Sequence, residues 1–285
     1  MNSSDNGYVC NECSSARYWE CDACDYLISS GNYCSGCEDE NESPESDYVH
    51  SYGYAPSPDF HGAGPTYLGV ELEINTPRYD LDEIARDVVN ALGSLGYLKE
   101  DSSIPCGFEI VTHPMSHAWA SEHFPWELLD ELKRRQCDTD TDDNGLGLHV
   151  HVSRDGFDDA EHAERWLTLI YDNSDKVDIV ARRRSGEWAA WDVTEKKSRI
   201  KEYAKGEAQG RRYSAVNCQN DHTFEVRVFA STLDKTELRA ALDLVAASVE
   251  YTRTAAAPTW DEFTAYIAVE DAYAALRSML EGVQS

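Results

Sequence analysis

Alternating polar and apolar residues mark four short segments of the chain as β-strands. In each segment, charged or imidazole side chains alternate with apolar ones. Successive side chains on a strand point to opposite faces of a sheet, so the polar groups of one segment share a face. The segments are 69–73, 107–111, 148–152 and 224–229. They predict a sheet face that carries carboxylates, imidazoles and a guanidinium, which is typical of a metal and phosphate site rather than of a core.

Between these segments, apolar residues recur at the spacing of amphipathic helices. The clearest pattern predicts a helix over about 80–95, with apolar positions at Leu81, Ile84, Ala85, Val88 and Leu92. Further helices are predicted over 116–136, from near 158 onward, and over 192–204, 235–255 and 260–281. Strands are predicted over 67–75, 106–112, 147–153, 212–218 and 223–229. Several strands with long helices between them predict an α+β fold, in which a mostly antiparallel sheet is backed by helices.

Three Cys-x-x-Cys pairs lie at the start of the chain. They are Cys10 and Cys13, Cys21 and Cys24, and Cys34 and Cys37. Pairs at this spacing in an intracellular protein are typical zinc ligands, and structural zinc takes four of them. Six thiols permit one zinc with two spare thiols, or two zincs with further ligands from among residues such as His50, His61, Asp22 and Asp25. Residues 1–40 therefore predict a small zinc-binding module whose pairing stays open.

The composition changes twice after the cysteines. Residues 41–66 are acidic and then rich in Pro, Gly and Tyr, which is typical of a linker. The tyrosines favour a linker that docks on a surface. The regular pattern begins at Tyr67, so we expect a larger domain over 67–285 that ends in helices.

The charge of the chain limits its partners. The 285 residues carry a formal net charge of −28, which argues against a broad nucleic-acid-binding surface because phosphate binding needs Lys and Arg. Scarce Lys and dispersed acids suit a halophilic, salt-rich cytoplasm, although an ordinary acidic protein has a similar balance. No apolar run is long enough to cross a bilayer, and the N-terminus has no leader-like stretch. We expect a soluble cytoplasmic protein without a membrane partner.

The acidic strand positions predict a hard divalent cation. Glu71 and Glu73 face the same way and repel each other unless a cation lies between them, and oxygen ligands favour Mg²⁺ or Mn²⁺. Glu109 stands among apolar residues, where a carboxylate needs a partner or a metal, and Asp101 lies shortly before it. Each motif alone also fits a plainer interpretation, namely a solvated strand face or, over 99–104, a capped turn.

Histidine and arginine extend this chemistry. His149 and His151 can chelate a metal or donate hydrogen bonds to phosphate, although such a pair is more often structural. Glu225 and Arg227 form either a buried salt bridge or a metal ligand beside an arginine that grips phosphate or carboxylate. No P-loop motif is present in the sequence. Jointly, these groups suit several divalent cations that hold a nucleoside triphosphate.

Six motifs in this order resemble the amidoligase family of glutamine-synthetase-like carboxylate–amine ligases, in the form found in tailed viruses. The motifs are Gly69-Val-Glu-Leu-Glu, Lys99-Glu-Asp-Ser-Ser-Ile, Gly107-Phe-Glu-Ile-Val-Thr-His-Pro, Gly147-Leu-His-Val-His-Val, Arg212-Tyr-Ser-Ala-Val-Asn and Thr223-Phe-Glu-Val-Arg-Val-Phe. The resemblance covers roughly residues 66–255. The segment from Val49 also resembles viral members that carry a Cys-rich N-terminal module.

The resemblance implies a curved, glutamine-synthetase-like sheet and an ATP-dependent reaction through an acyl phosphate, which an amine converts to an amide or isopeptide bond. The implied Mg²⁺ ligands or their near neighbours are Glu71, Glu73, Asp101, Glu109 and Glu225. His149 and His151 would hold metal or phosphate. Arg212 and Arg227 would stabilise the transferred phosphoryl group or grip the carboxylate, with Ser102 and Asn217 also at the nucleotide. Ser102 departs from the Gly that usually follows the Asp of its motif.

The substrates stay open. The resemblance implies an amine and a carboxylate, and the amine could belong to a protein, a peptide, a small molecule or a modified nucleobase. Two other functions are compatible with the sequence. One is an inactive family member whose zinc module acts as an adaptor, and the other is a metal-dependent hydrolase that uses His149 and His151.

Overall fold

The computed structural model describes residues 46–140, 145–184, 189–191, 193–207 and 212–282, together with four short strands before residue 46. Over residues 193–198 it describes the helix but not the side chains. The chain divides into two compact units, Met1–Glu45 and Ser46–Ser285. In the first unit, β1 (Asn2–Ser4), β2 (Gly7–Val9), β3 (Trp19–Glu20) and β4 (Leu27–Ile28) form a sheet in the order β2-β1-β4-β3. All six N-terminal cysteines lie outside the described residues, so the zinc module remains a prediction.

A mixed seven-stranded sheet forms the centre of the second unit. Its strands are β5 (Val49–His50), β6 (Leu68–Asn75), β7 (Gly96–Lys99), β8 (Gly107–Thr112), β9 (Gly147–Ser153), β10 (Val216–Asn217) and β11 (Thr223–Ala230). They lie in the order β10-β11-β9-β6-β8-β7-β5. Every neighbouring pair is antiparallel except β5 and β7, which are parallel. The predicted α+β class and the mostly antiparallel sheet are confirmed.

Helices cover the apolar face of this sheet. They are α1 (Leu81–Leu92), α2 (His117–His123), α3 (Glu127–Arg134), α4 (Ala160–Asp172), α5 (Ser174–Ala181), α6 (Val193–Lys205), α7 (Lys235–Thr254), α8 (Trp260–Val269) and α9 (Ala274–Gly282). Alternate residues of β6, from Leu68 to Ile74, are buried in one hydrophobic core with Trp166 of α4 and Leu244 of α7. The opposite face of the sheet is thereby left to the polar residues. No helix in the described parts of the chain combines the length and the apolar character needed to cross a bilayer.

The structure divides three helices that the sequence pattern predicts as continuous. The segment 116–136 forms α2 and α3, which are separated at Pro125 because proline lacks the N–H that a continuous helix requires. The helix that begins near 158 ends at Asp172 and is followed by α5. In these two places the apolar spacing continues across the break, so periodicity alone does not reveal it. The segment 260–281 forms α8 and α9, with a short 3₁₀ helix at Asp271–Tyr273 between them.

The sheet also differs from the prediction at its edges. The predicted strand 212–218 pairs with β11 only over Val216–Asn217, and Ser214 forms an isolated bridge with Ala190. Two strands were not predicted, β7 and β5, and β5 belongs to the segment whose composition is typical of a linker. Both are too short to give a clear alternation, and β5 is defined by its pairing with β7.

Candidate metal centre

Strand pairing brings the polar segments onto one face of four adjacent strands, β8, β6, β9 and β11. The facing pairs are Glu73 with Glu109, Glu71 with His149, and His151 with Glu225. Residues that face each other across paired strands point to the same side of the sheet. The predicted polar face is therefore confirmed, and its acids and imidazoles lie side by side.

Glu71 lies at the centre of this face, between the two imidazoles. Its Oε2 is 3.2 Å from His149 Nδ1, and its Oε1 is 3.2 Å from His151 Nε2. His149 Nδ1 also lies 3.5 Å from Glu225 Oε1, and its Nε2 lies 4.0 Å from Glu73 Oε1. One carboxylate thus connects both histidines, and His149 extends the cluster to two more acids.

Three overlapping groups of side chains on this face could each hold a metal ion. They are Glu71, Glu109 and His149; Glu71, His151 and Glu225; and Glu73, Asp101 and Glu109. Within each group the ligand atoms lie within 4.8 Å of one another. Glu71 and Glu109 each belong to two groups, so the groups form a continuous band. All five acids that the sequence predicts as metal ligands belong to it.

A buried nitrogen in this band lies at ion-pair distance from a carboxylate without forming a hydrogen bond to it. The ring of His151 meets Thr223 Oγ1 at 3.1 Å through Nδ1, whereas its Nε2 is buried without a hydrogen-bond partner. The nearest carboxylate oxygen, from Glu71, lies 3.2 Å from Nε2 but outside hydrogen-bond geometry. Buried polar atoms rarely lack a partner, so this nitrogen fits a site that is completed by a cation.

Gly147 makes room for the cluster, a role that the sequence analysis did not assign. Its backbone N–H donates to Glu73 Oε2 over 2.5 Å. A Cβ at this position would lie 2.9 Å from His149 Nε2 and 3.2 Å from Glu73 Oε2, which is too close for the present arrangement. The available signal is a glycine at the start of a strand directly before a His-x-His pair, since such a glycine often marks a close approach.

Two acids of the cluster, Glu71 and Glu225, have a lowered pKa, whereas the pKa of Glu109 is raised. Burial would raise the pKa of Glu71, but the adjacent histidines outweigh it and hold that pKa well below its usual range. Burial would likewise raise the pKa of Glu225, but His151, His149 and Arg227 outweigh it and lower that pKa. Burial raises the pKa of Glu109 to about 9, with the charge of Glu71 acting in the same direction.

The pKa values of Glu73 and His151 are shifted towards the protonated forms as well. Burial also raises the pKa of Glu73, against the opposing effects of His149 and the Gly147 N–H. For His151, burial lowers the pKa, but the carboxylate of Glu71 outweighs it and the pKa is raised. Divalent cations would replace these protons and bring all the carboxylates into their charged form.

Fixed cations and an amide flank the acids. Arg227 forms an ion pair with Glu225, and Asn217 Nδ2 donates to the other oxygen of Glu225 over 2.8 Å. Lys99 Nζ lies 3.9 Å from Glu109 Oε2. The structure therefore places Asn217 and Arg227, both predicted to bind the nucleotide, as partners of a candidate metal ligand.

Besides Arg227 and Asn217, two further predicted residues lie outside the three groups. Arg212 is exposed and donates from Nη2 to the Tyr52 hydroxyl over 2.6 Å. Ser102 is exposed in the turn after β7, where Ser103 N donates to Asp101 Oδ1 over 2.7 Å. Their assignment to the nucleotide stays a prediction.

Arg183 is a further residue that the sequence analysis did not assign. Its guanidinium donates to the backbone carbonyls of Val228 over 3.2 Å, Arg227 over 3.1 Å and Leu146 over 3.4 Å. These bonds connect the segment after α5 to β11 and to the start of β9. Burial lowers the pKa of Arg183, while the carboxylate of Glu73 opposes this shift. Arg183 therefore both braces two strands of the site and places a positive charge near its acids.

Unfolding measurements in a chelator should detect the proton on Glu109. The Glu109 carboxyl has a pKa of about 9 in the folded protein, whereas a glutamate in the unfolded chain has a pKa of about 4.3. Between these values the folded state holds the extra proton, so the free energy of unfolding falls as the pH rises. Glu109→Gln removes this titration, and we expect its stability to fall less between about pH 5 and 9.

The matched control for this prediction is Glu161→Gln, which removes one carboxylate from an exposed position on α4. Its stability should follow the wild-type pH dependence. Equal slopes of stability against pH in the wild type and Glu109→Gln would contradict the assignment of the proton.

Comparison with known proteins adds no relative to this picture. The sequence matches no protein-family model, and a comparison with the curated proteins likewise gives no match.

Proposed function

We propose that the polar face binds divalent cations, Mg²⁺ or Mn²⁺, and that these hold ATP for a carboxylate–amine ligation. The observation that carries the proposal is the continuous band of three groups that share Glu71 and Glu109. Adjacent cation sites of this kind suit a triphosphate, whose oxygens bridge metal ions. The mostly antiparallel sheet with one polar face supports a glutamine-synthetase-like catalytic fold.

The donor atoms favour the proposed metals. One group, formed by Glu73, Asp101 and Glu109, offers oxygen atoms alone, which suits Mg²⁺ and Mn²⁺. The two groups around Glu71 each add one imidazole nitrogen, which Mn²⁺ also accepts. When bound, such cations would neutralise the phosphate oxygens of the nucleotide and the charge that develops during transfer.

The proposed reaction joins two substrates in two steps. The γ-phosphoryl group passes to a substrate carboxylate oxygen, with cleavage of its bond to the β-phosphate oxygen and release of ADP. The amine nitrogen then bonds to the acyl carbon, the bond from that carbon to the phosphate oxygen breaks, and phosphate leaves while the amine loses a proton. Arg227 and Lys99 are buried or half-buried cations beside the candidate metal ligands, and they would stabilise the negative charge of the transferred group.

The proposal extends to the rest of the chain. The substrates would be an amine and a carboxylate, the N-terminal module would hold structural zinc, and the protein would act in the cytoplasm. The sequence motifs support these statements, and the described residues leave them open.

A ligase assay tests the proposal. Purified full-length protein with ATP and Mg²⁺ should release ADP only when a suitable amine and carboxylate are both present, and chelation by EDTA should stop the release. Absence of ADP with a broad panel of both substrates, together with no nucleotide-dependent rise in melting temperature, would contradict it.

The same assay separates the ligase from a hydrolase that uses the histidine pair. Within the described residues, each metal-capable group contains at most one histidine, because His149 and His151 belong to different groups. This arrangement favours cations bound mainly by carboxylates over a single zinc held by both imidazoles. Hydrolysis that is independent of ATP and lost on chelation would favour the hydrolase.

A further inference from the structure

The polar face continues into an aromatic cleft at the β5 edge of the sheet. His50 on β5 faces Lys99 on β7, and Lys99 faces Glu109 on β8, so these side chains form one row across the sheet. Tyr97 belongs to the neighbouring row, opposite Val111. Neighbouring strands are about 4.8 Å apart, so the cleft begins within roughly 10 Å of the acidic groups.

Aromatic rings form the walls of this cleft. It has a volume of about 310 Å³, and its lining includes Tyr48, His50, Tyr54, Tyr97 and His113. The rings of His50 and Tyr54 are stacked, with centroids 3.7 Å apart. Tyr97 stands at 80° to Tyr54 with centroids 5.2 Å apart, and at 60° to His113 with centroids 5.7 Å apart.

The arrangement of these rings suits a compact cation better than a planar nucleobase. The one parallel pair, His50 and Tyr54, is already in stacking contact and leaves no slot between its rings. The other rings meet at steep angles and form the corner of an aromatic cage. Cages of this kind attract alkylammonium groups, because a positive charge near a ring face interacts with the ring quadrupole.

The charges around the cleft favour the same ligand. Asp47 contributes a carboxylate to its lining, and burial lowers the pKa of His113. The His113 Nδ1 atom also accepts a hydrogen bond from the Asp59 N–H over 3.4 Å. On the same edge segment, the ammonium of Lys99 lies 5.4 Å from the ring centroid of Tyr52, so this edge already holds one ammonium group against an aromatic face.

We propose that the aromatic cleft lined by His50, Tyr54, Tyr97 and Asp47 binds the alkylammonium group of the amine substrate, a primary amine of the kind carried by a lysine side chain. The cleft holds the amine beside the face that binds ATP. That the ammonium belongs to a substrate rests on the ligase function proposed above, whereas its binding in the cleft does not.

Ligand-observed NMR with the full-length protein in EDTA tests the binding. The probe is n-butylammonium, and the neutral molecule of the same length is 1-butanol. We expect the ammonium to bind more tightly than the alcohol, and Tyr54→Leu to weaken its binding about threefold to fivefold. Tyr54→Phe keeps the ring and should retain the affinity, whereas Asp47→Asn should lower it.

Tyr54 and Asp47 are exposed, so these variants should fold normally. Equal binding of the alcohol and the ammonium, unchanged binding in Tyr54→Leu, or displacement of the ammonium by adenosine would overturn the inference.

The ligase assay separates failure of the cleft from failure of the proposed function. Tyr54→Leu should raise the KM for the amine about threefold or more, with the KM for ATP unchanged. Ammonium binding in a protein that never turns over ATP would support the cleft and contradict the ligase. Turnover with an amine KM that Tyr54→Leu leaves unchanged would support the ligase and contradict the cleft.

Discussion

Glu71→Gln is expected to reduce ATP turnover by at least about a hundredfold, since loss of even an outer partner of a metal ligand costs about 10- to 100-fold. Glu71 belongs to two of the three metal-capable groups and lies 3.2 Å from each histidine. Glutamine keeps the shape of the side chain but removes its charge and replaces one acceptor oxygen with a donor. We expect added Mg²⁺ to raise the melting temperature of the wild type and to raise that of Glu71→Gln less.

Glu161→Gln on α4 is the matched control, because it makes the same chemical change at an exposed position. It should retain wild-type turnover, as measured by initial rates of ADP release. If Glu71→Gln retained wild-type turnover, this result would contradict the central role of Glu71 in the proposed site.

Gly147→Ala is expected to weaken divalent cation binding by about tenfold or more, as perturbation of a ligand's supporting partner does in metal sites. The added methyl group would lie 2.9 Å from His149 Nε2 and 3.2 Å from Glu73 Oε2, so both side chains must move. Gly147 is not among the glycines with positive φ, so alanine can adopt its backbone conformation and the effect is steric. Mn²⁺ titration of the purified variant measures the loss.

Gly69→Ala provides the comparison on the neighbouring strand. Its Cβ would lie 3.6 Å from His151 Cβ and 3.8 Å from the Thr112 carbonyl, which is ordinary contact. Cation affinity should stay near that of the wild type in Gly69→Ala and fall only in Gly147→Ala. Equal losses in both variants would show a general effect on the sheet, not a specific one at the cluster.

The alternation of side chains was enough to predict which residues share the polar face. Period-two patterns at Glu71, Glu73, His149 and His151 fix the face of each strand, because a shift of one residue would expose the apolar set. Which side chains meet across the strands was harder to predict from the sequence. The facing pair of Glu73 and Glu109, for example, depends on pairing register, which sequence alternation does not encode.

Residues that act through their backbone or through distant neighbours escaped prediction. Gly147 matters for the space it leaves. Asn217 was predicted as a site residue, but its hydrogen bond to Glu225 was not, because it depends on a pairing of β10 with β11 that covers only two residues. β5 pairs over only two residues and gives no alternation of its own, so the aromatic cleft at that edge could not be derived from the linker composition. These features arise from tertiary contacts, whereas the polar face arises from local periodicity.

The number of divalent cations bound per chain tests the central claim most directly. Electron paramagnetic resonance of Mn²⁺ titrated into the full-length protein with a non-hydrolysable ATP analogue should detect at least two bound ions per chain on the described face. Glu71→Gln should bind fewer ions than the wild type, because Glu71 belongs to two of the three groups, while Glu161→Gln should bind the wild-type number. No binding by the wild-type protein, or equal binding by Glu71→Gln, would contradict a cation-dependent ATP site on the polar face of the sheet.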